Sequence, residues 1–263
     1  MPGTVYVITS GKGGVGKTTT TANLGGALAK LGRQVALVDA DIGLRNLDLV
    51  LGLEKRIVYD LVDLVEERCQ TRQALIKDRR FDNLYLLPAS QVKDKESVTE
   101  DQMRIVMRKL AADFDDVLID CPAGIEHGFR NAVAGADQAL IVTTPEVAAI
   151  RDADRILGML GNRRCRLIIN RVRVEMVRTG DMLSVDDVVE ILGRDVVGVV
   201  PDDEEIIDTT NRGEPIVLDA SRRLARIYNA IARRLLGENV PLTNLSEDGL
   251  WGRLRRLVTG TGQ

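Results

Sequence analysis

The amino-acid sequence predicts an α/β protein with a doubly wound, mostly parallel sheet flanked by helices. Short apolar runs recur along the chain without polar alternation, which is typical of strands buried on both faces. Helical patterns separate these runs at the spacing of strand–helix–strand units. A glycine-rich turn joins the first run to the first helix. Successive parallel crossovers are expected to be right-handed.

The predicted elements follow one another in a regular order. The strands are rich in Val, Ile and Leu, and they comprise Val5–Thr9, Val35–Val38, Leu84–Leu87, Val117–Ile119, Ala139–Val142, Leu167–Ile169 and Val196–Val200. The helices include Lys17–Lys30, Thr99–Ala112, Glu146–Leu160, Met182–Leu192 and Ser221–Leu236, the last with Ser221 as its N-cap. We expect one domain over residues 1–236, a linker over 237–249 and an amphipathic tail over 250–263.

Composition places the 263-residue chain among globular proteins, with 44% hydrophobic and 29% charged residues. No run of about 18 apolar residues occurs, and the N-terminus lacks the basic start of a signal peptide. The three cysteines show no metal-ligand spacing and suit a reducing cytosol. We therefore expect a cytoplasmic protein. The net charge of −3 is unlike that of a nucleic-acid binder that acts through bulk charge.

A glycine-rich loop follows the first predicted strand. Residues 11–18 read GKGGVGKT, which matches the phosphate-binding pattern G-x-x-x-x-G-K-[ST] between a strand and a helix. Glycines let backbone N–H groups approach phosphate oxygens, and the helix N-terminus adds donors and partial positive charge. Lys17 is predicted to neutralise the β- and γ-phosphates, and Thr18 is predicted to offer its hydroxyl to Mg²⁺.

A dinucleotide site is the alternative interpretation of this loop. Gly11, Gly13 and Gly16 also satisfy G-x-G-x-x-G, and Asp39 stands where such folds place a ribose-binding acid. The adjacent Lys17 and Thr18 favour a triphosphate, because a dinucleotide turn needs neither. Lys12 is a second lysine that an ordinary phosphate loop does not require. It could act in its own site or reach a nucleotide in a second subunit.

Acidic residues follow two of the predicted strands. Asp39 and Asp41 come after Val35–Val38, and Asp120 comes after Val117–Ile119. Ligands bind at the carboxyl ends of strands in open α/β sheets. A carboxylate there can hold Mg²⁺ through water or orient an attacking water, whereas one aspartate taken alone is as readily a cap or turn former. The neighbouring phosphate loop favours the functional interpretation.

These residues resemble a known family. Residues 11–19 resemble the deviant Walker A motif of the MinD/ParA ATPases, with Lys12 as the signature lysine. Residues 39–48, DADIGLRNLD, look like the switch I segment of the branch that selects the cell-division site. Further segments at 73–78, 86–91, 120–126 and 151–158 resemble that branch as well, so the similarity covers nearly the whole chain.

The resemblance implies an ATP-dependent homodimer. Lys12 would reach the partner's nucleotide, Lys17 would hold the phosphates and Asp41 would orient the attacking water. The implied magnesium residues are Thr18, Asp39, Asp41 and Asp120. The implied nucleotide-binding residues are Gly11, Lys12, Gly13, Gly14, Val15, Gly16, Lys17, Thr18 and Thr19, together with Asn170, Pro201 and Asp202 at the adenine. The family also implies slow, partner-stimulated hydrolysis, recruitment of the division inhibitor MinC, and release by an activator such as MinE.

A short basic tail ends the chain. At 100° per residue an arc of about 120° holds its apolar residues, which are Leu250, Trp251, Leu254, Leu257 and Val258. Arg253, Arg255 and Arg256 fall outside this arc. The pattern suits an anionic membrane surface, and it equally suits a helix docked on its own domain. The resemblance favours the membrane, which predicts peripheral attachment at the inner face of the cell membrane.

Three rival functions remain to be weighed. A ParA-like DNA-partition ATPase would use a basic surface, to which Arg163, Arg164, Arg166, Arg171 and Arg173 could contribute. A metal-cluster scaffold would need paired cysteines, whereas Cys69, Cys121 and Cys165 are scattered. A non-enzymatic binding module is disfavoured by the complete set of phosphate, metal and water-positioning candidates. We therefore predict no nucleic-acid partner.

Overall fold

The computed structural model describes residues 2–125 and 127–242, in which eight strands form one sheet. The strands are β1 (Thr4–Thr9), β2 (Val35–Asp39), β3 (Ile76–Lys77), β4 (Leu84–Leu87), β5 (Asp116–Asp120), β6 (Gln138–Thr143), β7 (Arg164–Val172) and β8 (Val196–Pro201). Their spatial order is β3-β4-β2-β5-β1-β6-β7-β8. Strand β3 pairs antiparallel with β4, and the other neighbours are parallel.

Helices alternate with these strands along the chain. They are α1 (Lys17–Lys30), α2 (Leu47–Val50), α3 (Leu61–Val65), α4 (Thr71–Ala74), α5 (Glu100–Asp113), α6 (His127–Ala134), α7 (Val147–Leu160), α8 (Val174–Thr179), α9 (Val185–Leu192), α10 (Glu205–Asn211) and α11 (Arg223–Leu235). Short 3₁₀ turns lie at Glu54–Arg56, Lys95–Ser97 and Ile216–Leu218. The predicted doubly wound α/β fold is confirmed.

The sheet separates two apolar layers. Helices α1 and α11 cover one face and pack on residues such as Leu37, Leu118 and Ile168. Helices α5, α6 and α7 cover the other face and pack on residues such as Val38 and Ile119. Neighbouring residues of one strand therefore face opposite layers, as the pleat requires. Burial on both sides explains why the strands read as continuous apolar runs.

Several local predictions need correction. Ser221 does not cap the last helix, because its Oγ donates to Asp219 Oδ1 at 2.6 Å and Arg222 occupies the N-cap position. Asn170 lies inside β7 rather than after it. The predicted helix Met182–Leu192 begins only at Val185, and its N-cap Ser184 forms a capping box with Asp187. Helix α6 and the short antiparallel strand β3 were not predicted.

The predicted tail and most of the predicted linker lie outside the described residues, which end at Leu242. Glu126, within the segment 120–126, also lies outside them. The membrane residues Leu250, Trp251, Arg253, Leu254, Arg255, Arg256, Leu257 and Val258 therefore stay predictions. Within residues 2–125 and 127–242, no helix has both the length and the apolar character needed to cross a bilayer.

Candidate functional site

The glycine loop occupies the turn between β1 and α1. Strand β1 lies between β5 and β6, and α1 begins at Lys17 directly after the loop. Gly16 is the N-cap residue and has the left-handed backbone conformation, with φ 97°. Because glycine has no side chain, the first N–H groups of α1 carry no side-chain cap. They are available to an anion such as a phosphate.

Close packing requires glycine at two positions of this loop. A Cβ atom on Gly16 would lie 2.3 Å from Asn170 Nδ2, and one on Gly11 would lie 2.4 Å from the backbone of Asp152. Asn170 Nδ2 also donates to the backbone carbonyl of Val15 at 2.7 Å. The loop is thus held between β7 and α7 with no room for larger residues at these two points.

Substitution of Gly16 by alanine is expected to weaken nucleotide binding by about 100-fold, since the new methyl group displaces Asn170 and strains the loop. Calorimetric titration with Mg-ATP measures this loss. Gly32→Ala is the matched control, because Gly32 has φ +86° and open space around its Cβ position. The control carries the same left-handed strain at a remote turn, so equal losses in both variants would contradict the argument.

The two lysines of the loop have different surroundings. Lys17 is 8% exposed, and its Nζ donates to Ser10 Oγ at 2.9 Å. Ser10 Oγ in turn donates to the backbone carbonyl of Lys12 at 2.8 Å. Lys12 is exposed, and its Nζ lies 3.3 Å from Glu146 Oε2. Exposed ion pairs of this kind contribute little free energy, so Lys12 can exchange Glu146 for a more highly charged partner.

Asp39 and Asp120 form a buried carboxylate pair beside the loop. They are register partners at the carboxyl ends of β2 and β5, and they are 0% and 2% exposed. Burial raises the pKa of Asp39 to about 8, and the charge of Asp120 adds to the increase. Burial also raises the pKa of Asp120 to about 6, against hydrogen bonds from Thr18 and Thr21 and the charge of Lys17. Burial and mutual repulsion thus disfavour two negative charges at this pair, and a bound cation would offset that cost.

The residues around this pair fit a magnesium ion bound with a nucleotide. Mg²⁺ prefers oxygen ligands, and it commonly uses one or two protein groups together with water and substrate phosphates. The structure brings Asp39 and Asp120 together with Thr18, whose side chain is hydrogen-bonded to Asp120. Thr21 Oγ1 donates to Asp120 Oδ1 at 3.2 Å and holds that carboxylate in place. A hydroxyl and two carboxylates next to a phosphate loop form a suitable donor set.

Asp41 begins a loop that is attached at both ends to Asp39. The backbone N–H of Asp41 donates to Asp39 Oδ1 at 2.9 Å, and that of Leu47 donates to Asp39 Oδ2 at 3.1 Å. In the middle of the loop, Gly43 N–H donates to the backbone carbonyl of Ser90 at 2.8 Å. A change in the charge around Asp39 would therefore act on both ends of the segment that carries Asp41.

A cleft of about 580 Å³ adjoins the glycine loop on the side of β7 and β8. The predicted adenine residues Asn170, Pro201 and Asp202 all line it, together with Gly16 and Thr19 of the loop. Its apolar lining includes Ile206, Ile207, Leu224 and Tyr228. An apolar cleft with a few polar groups suits a planar base. The carboxylate of Asp202 is occupied by Arg173, whose Nε lies 2.7 Å from Oδ2.

Sequence reasoning missed four side chains of this region. Ser10 and Glu146 hold the two lysines, and Leu224 and Tyr228 line the cleft. Leu224 belongs to the apolar stripe of the last helix, which indicates a core residue. Tyr228 follows Leu224 by one helical turn, and burial raises its pKa to about 12. A hydroxyl directly before the loop was a usable sign for Ser10, whereas nothing local marks Glu146.

The arginines considered for a DNA-binding surface do not share one face. Arg163, Arg164 and Arg166 lie at the amino end of β7, and Arg166 is buried. Arg171 and Arg173 lie at the carboxyl end of the same strand and beyond it, roughly 20 Å away. Arg173 is also paired with Asp202. These five arginines, which the rival DNA-partition function could have used, therefore do not form one continuous basic surface.

Comparison with known proteins places the chain in a family. It matches the family model described as the CobQ/CobB/MinD/ParA nucleotide binding domain over residues 6–216. A septum site-determining protein MinD of Bacillus subtilis (strain 168) is 56% identical over 250 residues, which cover 93% of each chain. The MinC:MinD cell division protein complex of Aquifex aeolicus has a TM-score of 0.83 and 51% identity, and the match covers 92% of this chain and 98% of that chain.

A third relative was solved with a ligand. The septum site-determining protein MinD complexed with Mg-ADP from Pyrococcus horikoshii OT3 has a TM-score of 0.81 and 28% identity. The match covers 90% of this chain and 99% of that chain.

A phosphate loop on the central strand of a parallel sheet, beside acids on the next strands, defines a P-loop nucleotide-binding protein. The site and the comparisons agree on this class. More narrowly, the chain belongs to the MinD/ParA family, and within it to the group of septum site-determining proteins. The family resemblance drawn from the sequence is confirmed.

Proposed function

We propose that the chain is an ATPase that takes part in division-site selection. It would dimerise when it binds ATP, and the dimer would then bind the membrane. The observation that carries this proposal is that the two lysines of the phosphate loop differ in burial and in their partners. Lys17 is buried at the loop, and Lys12 is exposed in a weak pair with Glu146. An exposed lysine on the loop can reach a nucleotide in a second chain, which supports the role in a dimer that the family resemblance implies.

Nucleotide binding is assigned to the loop and the adjoining cleft. The N–H groups of residues 13–18 and the Lys17 ammonium would receive the phosphates of ATP. Asn170, Pro201 and Asp202 would border the adenine. Thr18, with Asp39 and Asp120, would hold Mg²⁺, which when bound offsets the negative charge of the phosphates. The Mg-ADP bound to the Pyrococcus relative supports a nucleotide with this metal.

Hydrolysis is assigned to positioning and charge rather than to a strong base. Asp41 would orient the attacking water, and Lys12 of a partner chain would stabilise charge on the transferred phosphoryl group. The hydrogen bonds that join the Asp41 loop to Asp39 would make water positioning depend on the occupancy of the acid pair. Hydrolysis would be slow in the single chain, because Lys12 then pairs with Glu146 instead of a nucleotide.

Membrane attachment is assigned to the tail from Leu250 to Val258. A helix of this length is marginal in water and would order on lipid. One tail would bind weakly, whereas two tails on an ATP-bound dimer would act together and bind much more tightly. The nucleotide would thus control peripheral residence on the inner face of the membrane without altering the tail.

Two protein partners complete the proposal. The solved MinC:MinD complex of Aquifex aeolicus supports recruitment of a MinC-type division inhibitor by the ATP-bound dimer. An activator such as MinE would raise the hydrolysis rate and release the dimer from the membrane. Cytoplasmic protein would then rebind ATP. No nucleic-acid partner is proposed.

ATP-dependent vesicle binding is the experiment that tests this function. Full-length protein should sediment with anionic vesicles in ATP and remain mostly in solution in ADP. Trp251→Glu should lower the affinity by about 10- to 100-fold, because it removes the largest apolar contact of the tail. Val58→Glu makes the same kind of change at an exposed position of the body and should have no effect. Equal binding in ADP and ATP, or full binding after Trp251→Glu, would overturn the proposal.

A further inference from the structure

Helix α11 presents an arginine-rich face that the nucleotide site does not use. Residues 221–236 contain five arginines and no acidic residue. The chain as a whole is slightly acidic, with 39 acidic and 36 basic residues. Arg222 is balanced by Glu205 and Asp219, each at 3.3 Å.

A shallow groove of about 290 Å³ lies between α11 and α1 on this face. Its floor is made largely of alanines, and Lys30, Arg226 and Arg233 line it as well. Lys30 Nζ donates to the backbone carbonyl of Leu218 at 2.8 Å, and Arg226 Nη1 donates to the backbone carbonyl of Ser221. Arg233 pairs with Glu238 at 2.7 Å. Three cationic side chains therefore line the groove, and the carboxylate of Glu238 neutralises one of them. The groove thus carries net positive charge.

The groove lies where the chain leaves the body toward its tail. Residues after α11 fold back on the last turn of that helix, because Arg234 Nε donates to the backbone carbonyl of Val240 at 2.7 Å. Arg234 also donates to the backbone carbonyls of Pro241 and, at 2.8 Å, Val197 in β8. The first part of the linker, up to Pro241, is thus held beside the last turn of α11.

We infer that the face formed by Lys30, Arg226 and Arg233, here called the α11 basic face, is a second membrane contact that binds the phosphate groups of anionic lipids. The inference rests on the proposed membrane attachment and extends it from the tail to the body. The small alanine side chains that line the groove leave open space, so a headgroup can approach the three cations that line it as well. Each basic side chain near an anionic surface adds electrostatic attraction.

The charges decide which occupant suits this face. The tail itself holds three arginines and no acid, so charge repulsion disfavours it as the occupant of the groove. Seven residues, 243–249, separate the end of the described chain from Leu250. Fully extended they span about 23 Å. The tail and the α11 basic face can therefore touch the same lipid surface together.

Vesicle binding of charge-neutralised full-length protein tests the inference. The double variant Arg226→Gln with Arg233→Gln should lose about 10- to 30-fold in ATP-dependent affinity for phosphatidylcholine vesicles that contain phosphatidylglycerol. Its lipid-free ATP hydrolysis should stay unchanged, which shows that the fold is intact. Arg226→Lys with Arg233→Lys keeps the charge and should bind nearly as the unmodified chain does.

Arg108→Gln with Lys109→Gln is the matched control, because both residues are exposed on α5, which covers the opposite face of the sheet. This pair should keep full vesicle affinity. Equal losses in the two neutralised pairs would overturn the inference, because the effect would then be one of net charge alone. Unchanged vesicle binding of the double variant Arg226→Gln with Arg233→Gln would overturn the inference too. If that variant also lost affinity for a DNA duplex, the face would be identified as a nucleic-acid surface instead.

The result separates this inference from the proposed function. If the unmodified chain binds vesicles in ATP and the α11 pair binds equally well, only the inference fails. If the unmodified chain does not bind anionic vesicles in ATP, the proposed membrane attachment fails and the inference falls with it.

Discussion

Lys17→Ala is expected to lower the affinity for ATP by about 100-fold or more. Lys12→Ala is expected to change that affinity by no more than a few-fold and to lower the rate of hydrolysis by about 100-fold. Lys17 is the buried cation of the loop and hydrogen-bonds Ser10 in place of a phosphate. Lys12 is exposed and paired with Glu146. The first change removes charge from the nucleotide's own site, and the second removes charge that a partner's nucleotide would receive.

Calorimetric binding of Mg-ATP, measured beside lipid- and activator-stimulated hydrolysis, separates these two roles. Glu146→Gln is the matched control for Lys12, because it removes the resting partner of the lysine and keeps the lysine itself. That variant should hydrolyse ATP at least as fast as the unmodified chain. Loss of ATP affinity in Lys12→Ala comparable to that in Lys17→Ala would show that both lysines serve one and the same site.

Asp120→Asn is expected to stabilise the nucleotide-free protein while it lowers Mg-ATP hydrolysis by about 100-fold or more. Asp120 and Asp39 are buried together, and burial raises both pKa values. Removing one charge of the pair should raise the free energy of unfolding by on the order of 2 kcal/mol near pH 8. A chain of this size should then melt several degrees higher. The same change removes an acid that the magnesium site requires.

Asp116→Asn is the control for this prediction. Asp116 stands at the other end of β5 and is also buried, but Arg33 Nε lies 2.8 Å from its Oδ2. Its removal leaves Arg33 without its carboxylate, so this variant should lose stability and keep its ATP affinity. A lower melting temperature in Asp120→Asn, measured without nucleotide and magnesium, would contradict the prediction.

The acid pair also predicts the pH dependence of stability. Both carboxyl groups ionise near 3.8 in the unfolded chain, but the folded chain keeps their protons to about pH 8 at Asp39 and about pH 6 at Asp120. Between about pH 4 and pH 8 the folded state therefore binds more protons than the unfolded state, and the contribution of this pair to stability falls as the pH rises. Asp120→Asn should flatten that fall in thermal melts across this range.

The sequence was most informative where a signal is local. The apolar runs located seven strands, and the glycine pattern between a strand and a helix located the phosphate loop. Helix Lys17–Lys30 and strand Leu84–Leu87 were predicted with the bounds that the structure shows. Strand β3 was missed because its two residues are too short for any periodicity. Serine is a favourable N-cap residue, but the hydroxyl of Ser221 donates to Asp219 instead of capping the helix.

Several contacts of the site join residues that are distant in sequence. Glu146 meets Lys12 across 134 residues, and Asn170 meets Val15 across 155. No local pattern marks such pairs, because they depend on the spatial order of β1, β6 and β7. Asn170 was placed after its strand because β7 runs on through a register irregularity to Val172, with Arg171 at φ +56°. The tail was predicted from amphipathicity and resemblance, and it lies outside the described residues.

The hydrogen bonds of Arg234 at the end of α11 have a further consequence, for the solubility of the protein. Strand β8 forms one edge of the sheet, and an unprotected edge can recruit strands from other molecules and begin aggregation. Arg234 donates a hydrogen bond to the backbone carbonyl of Val197 on that edge. The opposite edge is formed by β3, which has only two residues. Both edges are therefore poor templates for strand addition, which protects the sheet from open-ended growth into fibres.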